Sequence, residues 1–221
     1  MTEKITPLIA NLGADDPDTQ ERAVEELIAI GAPAVPELIN AVYDGDALIC
    51  ANAIETLGQI KDTRAIGPLI IALQDSDTQV VIAAMTALRR IGDPGAVQPL
   101  ISFLSKDDIH LHFNATLALG QIKHEQTVAA LLEVLNSDDP NIRHGSAVAL
   151  GRIGDHRAIE PILKLLEDDE TKVRYSAAYA LGDLAALHQD TRVIDPLKAL
   201  LDDPDMNVRT TAQEALGKLD V

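Results

Sequence analysis

Apolar residues along this chain recur in short bursts at helical spacing, and the bursts themselves repeat. Ile142, Ser146, Ala147, Ala149, Leu150 and Ile153 fall on one face of a helix. That burst closes at Gly154-Asp155, and a second helix with its own leucine stripe is predicted over 158–166. The segments ETLGQIKDTRAIGPLIIAL, TALRRIGDPGAVQPLISFL, LALGQIKHEQTVAALLEVL and VALGRIGDHRAIEPILKLL are versions of one pattern. Leu57, Leu88, Leu119, Leu150 and Leu181 anchor it at steps of 31, with Leu27 placed 30 before and Leu216 placed 35 after. Pro36, Pro68, Pro99, Pro161 and Pro196 keep the same beat, with Ala130 in the gap and Pro7 ahead of the series. Two independent markers with one period define an internal repeat.

Each unit reads as two helices. The first opens at acidic signals such as Asp138-Asp139-Pro140 and Asp168-Asp169, where carboxylates cap free N–H groups and oppose the positive helix end. Gly92 and Gly154 close it where a left-handed residue is needed. The second helix carries its proline in the first turn, where the missing N–H costs little. Gly58, Gly120, Gly151, Gly182 and Gly217 lie inside the first helices; each costs ~1 kcal/mol against alanine, so close contact between neighbouring helices is expected there. A lone second-type helix (5–12) precedes the first full unit and a lone first-type helix (205–219) ends the series. The expected fold is all-α: fourteen helices in a right-handed α-solenoid of about seven two-helix repeats, one domain over 1–221 with half-repeats at 1–13 and 202–221. Four extra residues within 184–191, including His188, are expected to enlarge a turn in the sixth unit.

Composition narrows the partners. The chain has 221 residues and a formal charge of −17, with two Phe, three Tyr and no Trp. A core of alanine and aliphatic residues suits packed helices. The acidity argues against nucleic acid and against anionic membrane surfaces. A single Cys50 rules out an intrachain disulfide and a CxxC zinc site, and no apolar stretch approaches ~20 residues. The opening MTEKITPL lacks a signal-peptide core. A cytoplasmic protein is expected.

The pattern VRxxAAxALGxIGDxRAIxPLIxxL, carried by 173–200 apart from the insertion, resembles the short HEAT-like repeats of the phycobilin-lyase ("E-Z" HEAT) family. That family includes bilin lyase subunits, phycobilisome-degradation proteins, archaeal HEAT-like proteins and deoxyhypusine hydroxylase. The resemblance implies that the helix bearing VRxxAAxALG lines the concave surface. Positions six, five and two before the anchor leucine, and two after it, share one face of that helix. The first two units then offer Glu21, Arg22 and Glu25, and Ala51, Asn52, Glu55 and Gln59. The third offers Ile82, Ala83, Thr86 and Arg90; the fourth, Phe113, Asn114, Leu117 and Gln121. The fifth offers His144, Gly145, Val148 and Arg152; the sixth, Tyr175, Ser176, Tyr179 and Asp183. The seventh offers Thr210, Thr211, Glu214 and Lys218. Phe113, Tyr175 and Tyr179, with Ile82, Leu117 and Val148, form an apolar strip flanked by Arg90 and Arg152. Such a strip either receives a partner or consists of side chains covering one another between repeats. Glu21, Glu25 and Glu55 would steer basic partners.

Arg143, Arg174 and Arg209 occupy one place in successive units, with aspartates at each preceding turn. Arg–Asp pairs between repeats are the expected role, with an anion site as the alternative. Earlier units hold Gln20, Cys50, Val81 and His112 there.

Catalytic chemistry finds little support. Asp107, Asp108, His110 and His112 cluster, with His144 one unit on, yet His110 and His112 point apart and no ligand spacing emerges. His124-Glu125 is a single His-Glu pair, and the matching turns read Lys61-Asp62, Asp93-Pro94 and Asp155-His156; the hydroxylase relatives use several such pairs to hold two irons. Cys50 lies in an apolar setting that raises a thiol pKa. No GxSxG elbow or phosphate-binding loop is present. No cofactor and no metal are expected. The stretch Tyr175-Ser176-Ala177-Ala178-Tyr179-Ala180-Leu181 is similar to the Tyr-Tyr-Ala-Ala-Trp-Trp-Leu associated with bilin handling in a lyase subunit of the family. The sequence thus points to a non-catalytic scaffold or adaptor that binds a protein partner in the groove. The alternative is a bilin-handling protein, either a lyase subunit or a chromophore-detaching factor acting on phycobiliproteins.

Overall fold

The computed structural model describes residues 2–44 and 46–219; Met1, Asp220 and Val221, at the expected terminal half-repeats, lie outside these. Among the described residues there are fourteen α-helices and no strand. They are α1 (Thr2–Asn11), α2 (Pro17–Ile30), α3 (Val35–Asp44), α4 (Ala47–Ile60), α5 (Ile66–Ala72), α6 (Thr78–Ile91) and α7 (Val97–Ile101). There follow α8 (Ile109–Gln121), α9 (Glu125–Val134), α10 (Pro140–Ile153), α11 (Ile159–Lys164), α12 (Thr171–His188), α13 (Ile194–Ala199) and α14 (Met206–Gly217). The even-numbered helices are the first helices of the repeats and the odd-numbered ones the second. The chain divides into two compact units, Met1–Pro99 and Leu100–Val221. Within the first, α2, α4 and α6 stack in order; within the second, α8, α10, α12 and α14 do so. The all-α helical-repeat architecture is the one expected.

Local signals explain the boundaries. Asp46, Asp77, Asp108, Asp139 and Asp205 each accept a backbone N–H from the first turn of the helix that follows, worth ~1 kcal/mol apiece. His124 does the same for α9, its Nδ1 accepting Gln126 N–H at 3.2 Å. Gly92 (φ 76°) and Gly154 (φ 80°) end α6 and α10 in the left-handed region. Lys61 (φ 59°) and Gln189 (φ 55°) take the same conformation without glycine. A short 3₁₀ turn leads into most second helices, and it accounts for the GDxRA motif. Asp62, Asp155 and Asp190 each cap that turn, and the arginine two residues on clamps the same carboxylate. Those arginines then reach the preceding repeat, at Ala32 O, Glu125 and Glu160.

The core is a ladder of buried leucines. Leu27, Leu57 and Leu88 are sealed in the first unit, and Leu119, Leu150 and Leu181 in the second. Between first helices the backbones meet closely at glycine. A Cβ added to Gly58 would stand 2.7 Å from Ala87 Cα, one on Gly151 2.8 Å from Ala180 Cβ, and one on Gly182 2.7 Å from Ala215 Cβ. Gly58, Gly151 and Gly182 are the close-approach positions that their repetition implied, and a Cβ on Gly120 would face the Arg152 side chain at 3.0 Å; Gly217 departs from the expectation, since a Cβ there would meet nothing within 4 Å.

The insertion in the sixth unit behaves otherwise than expected. It enlarges no turn: α12 has 18 residues against 14 in α10. Leu184 and Ala185 are fully buried, so the added residues keep the apolar period and extend the helix by one turn.

Candidate functional site

The position seven before the anchor leucine ties its helix, in every repeat but the third, to backbone of the segment just before it. Gln20 donates to Ala14 O, Cys50 Sγ to Val42 O at 3.4 Å, and His112 Nδ1 bonds Leu104 O at 2.9 Å. Arg143, Arg174 and Arg209 donate through Nη1 to Ser137 O, Asp168 O and Asp203 O at 2.8, 2.9 and 2.7 Å. Val81, with no donor, is buried instead. Arg143 and Arg174 add a second link, to the aspartate of the following turn rather than of the preceding one. Arg143 is bidentate to Asp168, with both bonds at 2.8 Å, and Arg174 to Asp203 at 2.7 and 3.1 Å. The guanidiniums hold the Asp168 and Asp203 carboxyls below the ordinary range, against the opposing effect of burial. Every guanidinium nitrogen of Arg143 and Arg174 is bonded to a protein group, which suits a structural ladder better than an anion site.

The face offered by the first helices differs between the units. In the first, Glu21, Glu25, Asn52, Glu55 and Gln59 line an open cavity of about 410 Å³. Asn52 Nδ2 donates to Leu12 O at 2.7 Å, and Arg22 turns back to Asp18 O at 3.0 Å. Ile82, Thr86 and Arg90 follow one another along α6, all half-buried, and Arg90 approaches Glu55 at 3.5 Å.

In the second unit, α8 presents Phe113, Asn114 and Leu117; α10 presents His144, Val148 and Arg152; α12 presents Tyr175 and Tyr179. Phe113 is 55% exposed and Tyr175 39%, while Leu117, Val148 and Tyr179 are half-buried around them. Ile109, one turn before Phe113 on α8, is also exposed and extends the apolar row. The Lys218 ammonium lies 5.0 Å from the Tyr179 ring centre and 2.8 Å from Asp183. Asn114 Nδ2 returns to His110 O at 2.9 Å. Positions five before the anchor are covered in the later repeats: Gly145, Ser176 and Thr211 are buried between helices. A face drawn from helical geometry alone includes them, because it omits the neighbouring helix that comes close at that height.

His144 has a partner that sequence reading missed. Its ring stacks on His112, with centroids 5.5 Å apart and planes at 21°. Gly145 makes room, since a Cβ there would sit 3.3 Å from His112 Cε1. His112 Nδ1 faces a carbonyl and its buried Nε2 has no partner among the described residues, an arrangement for a neutral ring protonated at Nδ1. Burial pushes both histidines below their ordinary pKa. The only signal in the sequence was register, His112 and His144 lying one repeat apart and one position displaced.

Chemistry beyond recognition has little to work with. Among the described residues no group of three or more His, Cys, Asp or Glu is placed to hold a metal ion. His110 is exposed and His112 turned inward. Burial raises the Cys50 thiol pKa, opposite to the need of a nucleophile. No described helix is long and apolar enough to cross a membrane.

With this geometry in hand, comparison with known proteins identifies the class. HEAT repeats match residues 5–81, 35–111, 66–151, 99–182 and 159–221, and the chain belongs to the HEAT-repeat family. Comparison with curated proteins finds no match. Among solved structures, the chain is similar to the Kap121p mutant D353K/E396K/D438K (TM-score 0.71, 13% identity), covering 97% of this chain and 29% of that one. It is similar to the complex of CpcE and CpcF of phycocyanin lyase from Nostoc sp. PCC7120 (TM-score 0.50, 22% identity, 98% and 93% covered). Human deoxyhypusine hydroxylase in complex with glycerol is matched at TM-score 0.44 and 23% identity, with 99% and 96% covered. These likenesses concern the fold.

Proposed function

We propose that this chain is a non-catalytic scaffold or adaptor that binds a protein partner along the first-helix face of its second unit. The observation that carries this reading is the exposure of Phe113 and Tyr175 on that face in a chain with only five aromatic residues. Leu117, Val148 and Tyr179 form the floor, and Asn114, His144 and Arg152 supply polar contacts along one side. Exposed aromatics within an apolar patch with a polar rim are typical of recognition surfaces. In the first unit, Ile82, Thr86 and Arg90 offer a contact face of their own, and the cavity bordered by Glu21, Glu25 and Glu55 attracts basic segments.

The test is affinity capture from the source lysate, comparing the wild type with Phe113→Glu/Tyr175→Glu. Both side chains are exposed, so the variant keeps its helical circular dichroism spectrum. Loss of a specific protein from the variant supports the reading; equal retention overturns it.

The second reading is bilin handling, as a lyase subunit or a chromophore-detaching factor. It draws support from Tyr175, Tyr179 and Arg152, whose ring faces and guanidinium suit an apolar tetrapyrrole with carboxylate tails, and from the likeness to the phycocyanin lyase complex. A visible absorbance change on adding free bilin, lost in the same variant, would favour it over the adaptor.

A further inference from the structure

Charge is sorted along the first helices. In a chain with 35 aspartates and glutamates, α8 and α10 contain none, and α12 and α14 contain one each, Asp183 and Glu214. By contrast, α2 alone contains Asp18, Glu21, Glu25 and Glu26. The helices that present Phe113 and Tyr175 are therefore poor in carboxylates within a strongly acidic molecule.

The cations on these faces differ in how they are answered. Arg90, Arg152 and Lys218 each stand two residues after an anchor leucine. Arg90 meets Glu55, two before the anchor of the preceding first helix, at 3.5 Å. Lys218 meets Tyr179 at that same place, and is held by Asp183 at 2.8 Å. For Arg152 the place is taken by Leu117. Its side chain crosses from α10 onto α8, where a Cβ on Gly120 would stand 3.0 Å from Arg152 Cδ. The guanidinium is exposed and has no partner among the described residues. Lys172, one turn before Tyr175 on α12, is also exposed, and its ammonium donates to the amide oxygen of Asn141 at 2.6 Å rather than to a carboxylate. Two cations without a counter-ion thus border the exposed aromatics. Of the carboxylates at the openings of these helices, Asp108 and Asp139 are turned into their own first turns as caps, and Asp168 holds Arg143. The charge of the whole chain acts over longer range and is screened within ~10 Å at 0.1 M salt, so at contact the nearest groups decide.

We infer that the segment held on this face is acidic: an extended stretch in which large apolar side chains are flanked by aspartate or glutamate. The inference rests on the reading of this face as a protein-binding surface and adds the chemistry of what it binds. Apolar side chains cover Phe113 and Tyr175, and carboxylates answer Arg152 and Lys172 on either side of them. Helices α8 and α12 are two places apart in the stack, roughly 16–20 Å for packed helices 8–10 Å apart, a span of about six extended residues. The acidic cavity of the first unit, between α2 and α4, favours the opposite charge and belongs to a separate contact.

The test selects random dodecapeptides displayed on phage against the full chain and discards those still retained by Phe113→Ala/Tyr175→Ala. Peptides with aspartate or glutamate beside phenylalanine, leucine or tyrosine are expected to be enriched. The leading peptide, labelled with fluorescein, is then titrated against the chain by fluorescence anisotropy. Arg152→Gln and Lys172→Gln should each weaken it about threefold, the size of loss that follows from removing one exposed ion pair. Both side chains are exposed, so circular dichroism should show the fold unchanged in each variant. Enrichment of basic or uncharged peptides that depend on Phe113 and Tyr175 overturns the acidic occupant and leaves the binding surface standing. No peptide that depends on those two residues overturns both. An acidic peptide that binds Arg152→Gln/Lys172→Gln as well as the wild type also overturns the inference. A concentration-dependent dimer in sedimentation, lost in Phe113→Ala/Tyr175→Ala, would give the face to a second copy and overturn the proposed occupant.

Discussion

His112 and His144 show how one residue pair becomes sensitive to pH through its surroundings. Both rings aim Nδ1 at backbone carbonyls, Leu104 O and Lys172 O, and lie against each other. A second proton on either would be a charge in a half-buried site beside another imidazole. Their folded pKa values lie below the 6.5 of a free ring, so between that value and the lowered ones the unfolded chain binds more protons than the folded chain. Stability is then fully present above pH 6.5 and falls as the pH drops below it. Thermal unfolding followed by circular dichroism should show the midpoint falling between pH 7 and pH 5. His144→Phe, which keeps a stacked ring and removes a proton site, should flatten that fall; an unchanged slope would remove the pair from the account.

Among the elements, connections that look alike differ in strength because they differ in burial. The Arg174–Asp203 pair is 13% and 4% exposed at its side chains and joins α12 to the turn before α14. Arg174→Ala leaves a covered carboxylate without its partner and should destabilise the chain by ~3 kcal/mol in urea unfolding. Arg157 makes an equally short bond to Asp155, yet its side chain is 41% exposed; Arg157→Ala should cost less than ~1 kcal/mol. The glycines separate in the same way. Gly182→Ala gains helix propensity but drives a methyl group to 2.7 Å from Ala215, and it should destabilise by ~1–3 kcal/mol. Gly217→Ala meets open space and should not destabilise. The repeated glycines were readable as close contacts, but which of them has a neighbour depends on the next helix and only the structure distinguishes them.

For the whole molecule, a charge of −17 sets the electrostatic background. Repulsion among surface carboxylates opposes compaction, and salt screens it over a Debye length of ~10 Å at 0.1 M. The unfolding midpoint should therefore rise between 10 and 300 mM NaCl, although the Arg–Asp ladder alone would predict a fall. The fold was legible because the markers that set it, anchor leucines, capping aspartates and second-helix prolines, recur with one period and act locally. The candidate face was legible only in outline. Asn114, Ser176 and Gly145 occupy its helical positions, but their surroundings depend on how closely the adjacent helix approaches, and the stacking of His144 on His112 joins residues from two repeats. The insertion was visible as a break in spacing, and Leu184 and Ala185, which carry it into helix, were visible too; what could not be read was that their burial outweighs a turn. That extension implies a rule for how such chains change length. About 3.6 residues complete a turn, so four added residues return the apolar stripe almost to its starting azimuth. Two would swing it to the opposite side of the helix and expose the leucines that anchor the stack. Natural variants of this chain should therefore gain or lose helical residues in steps of three, four or seven, with other step sizes confined to the turns.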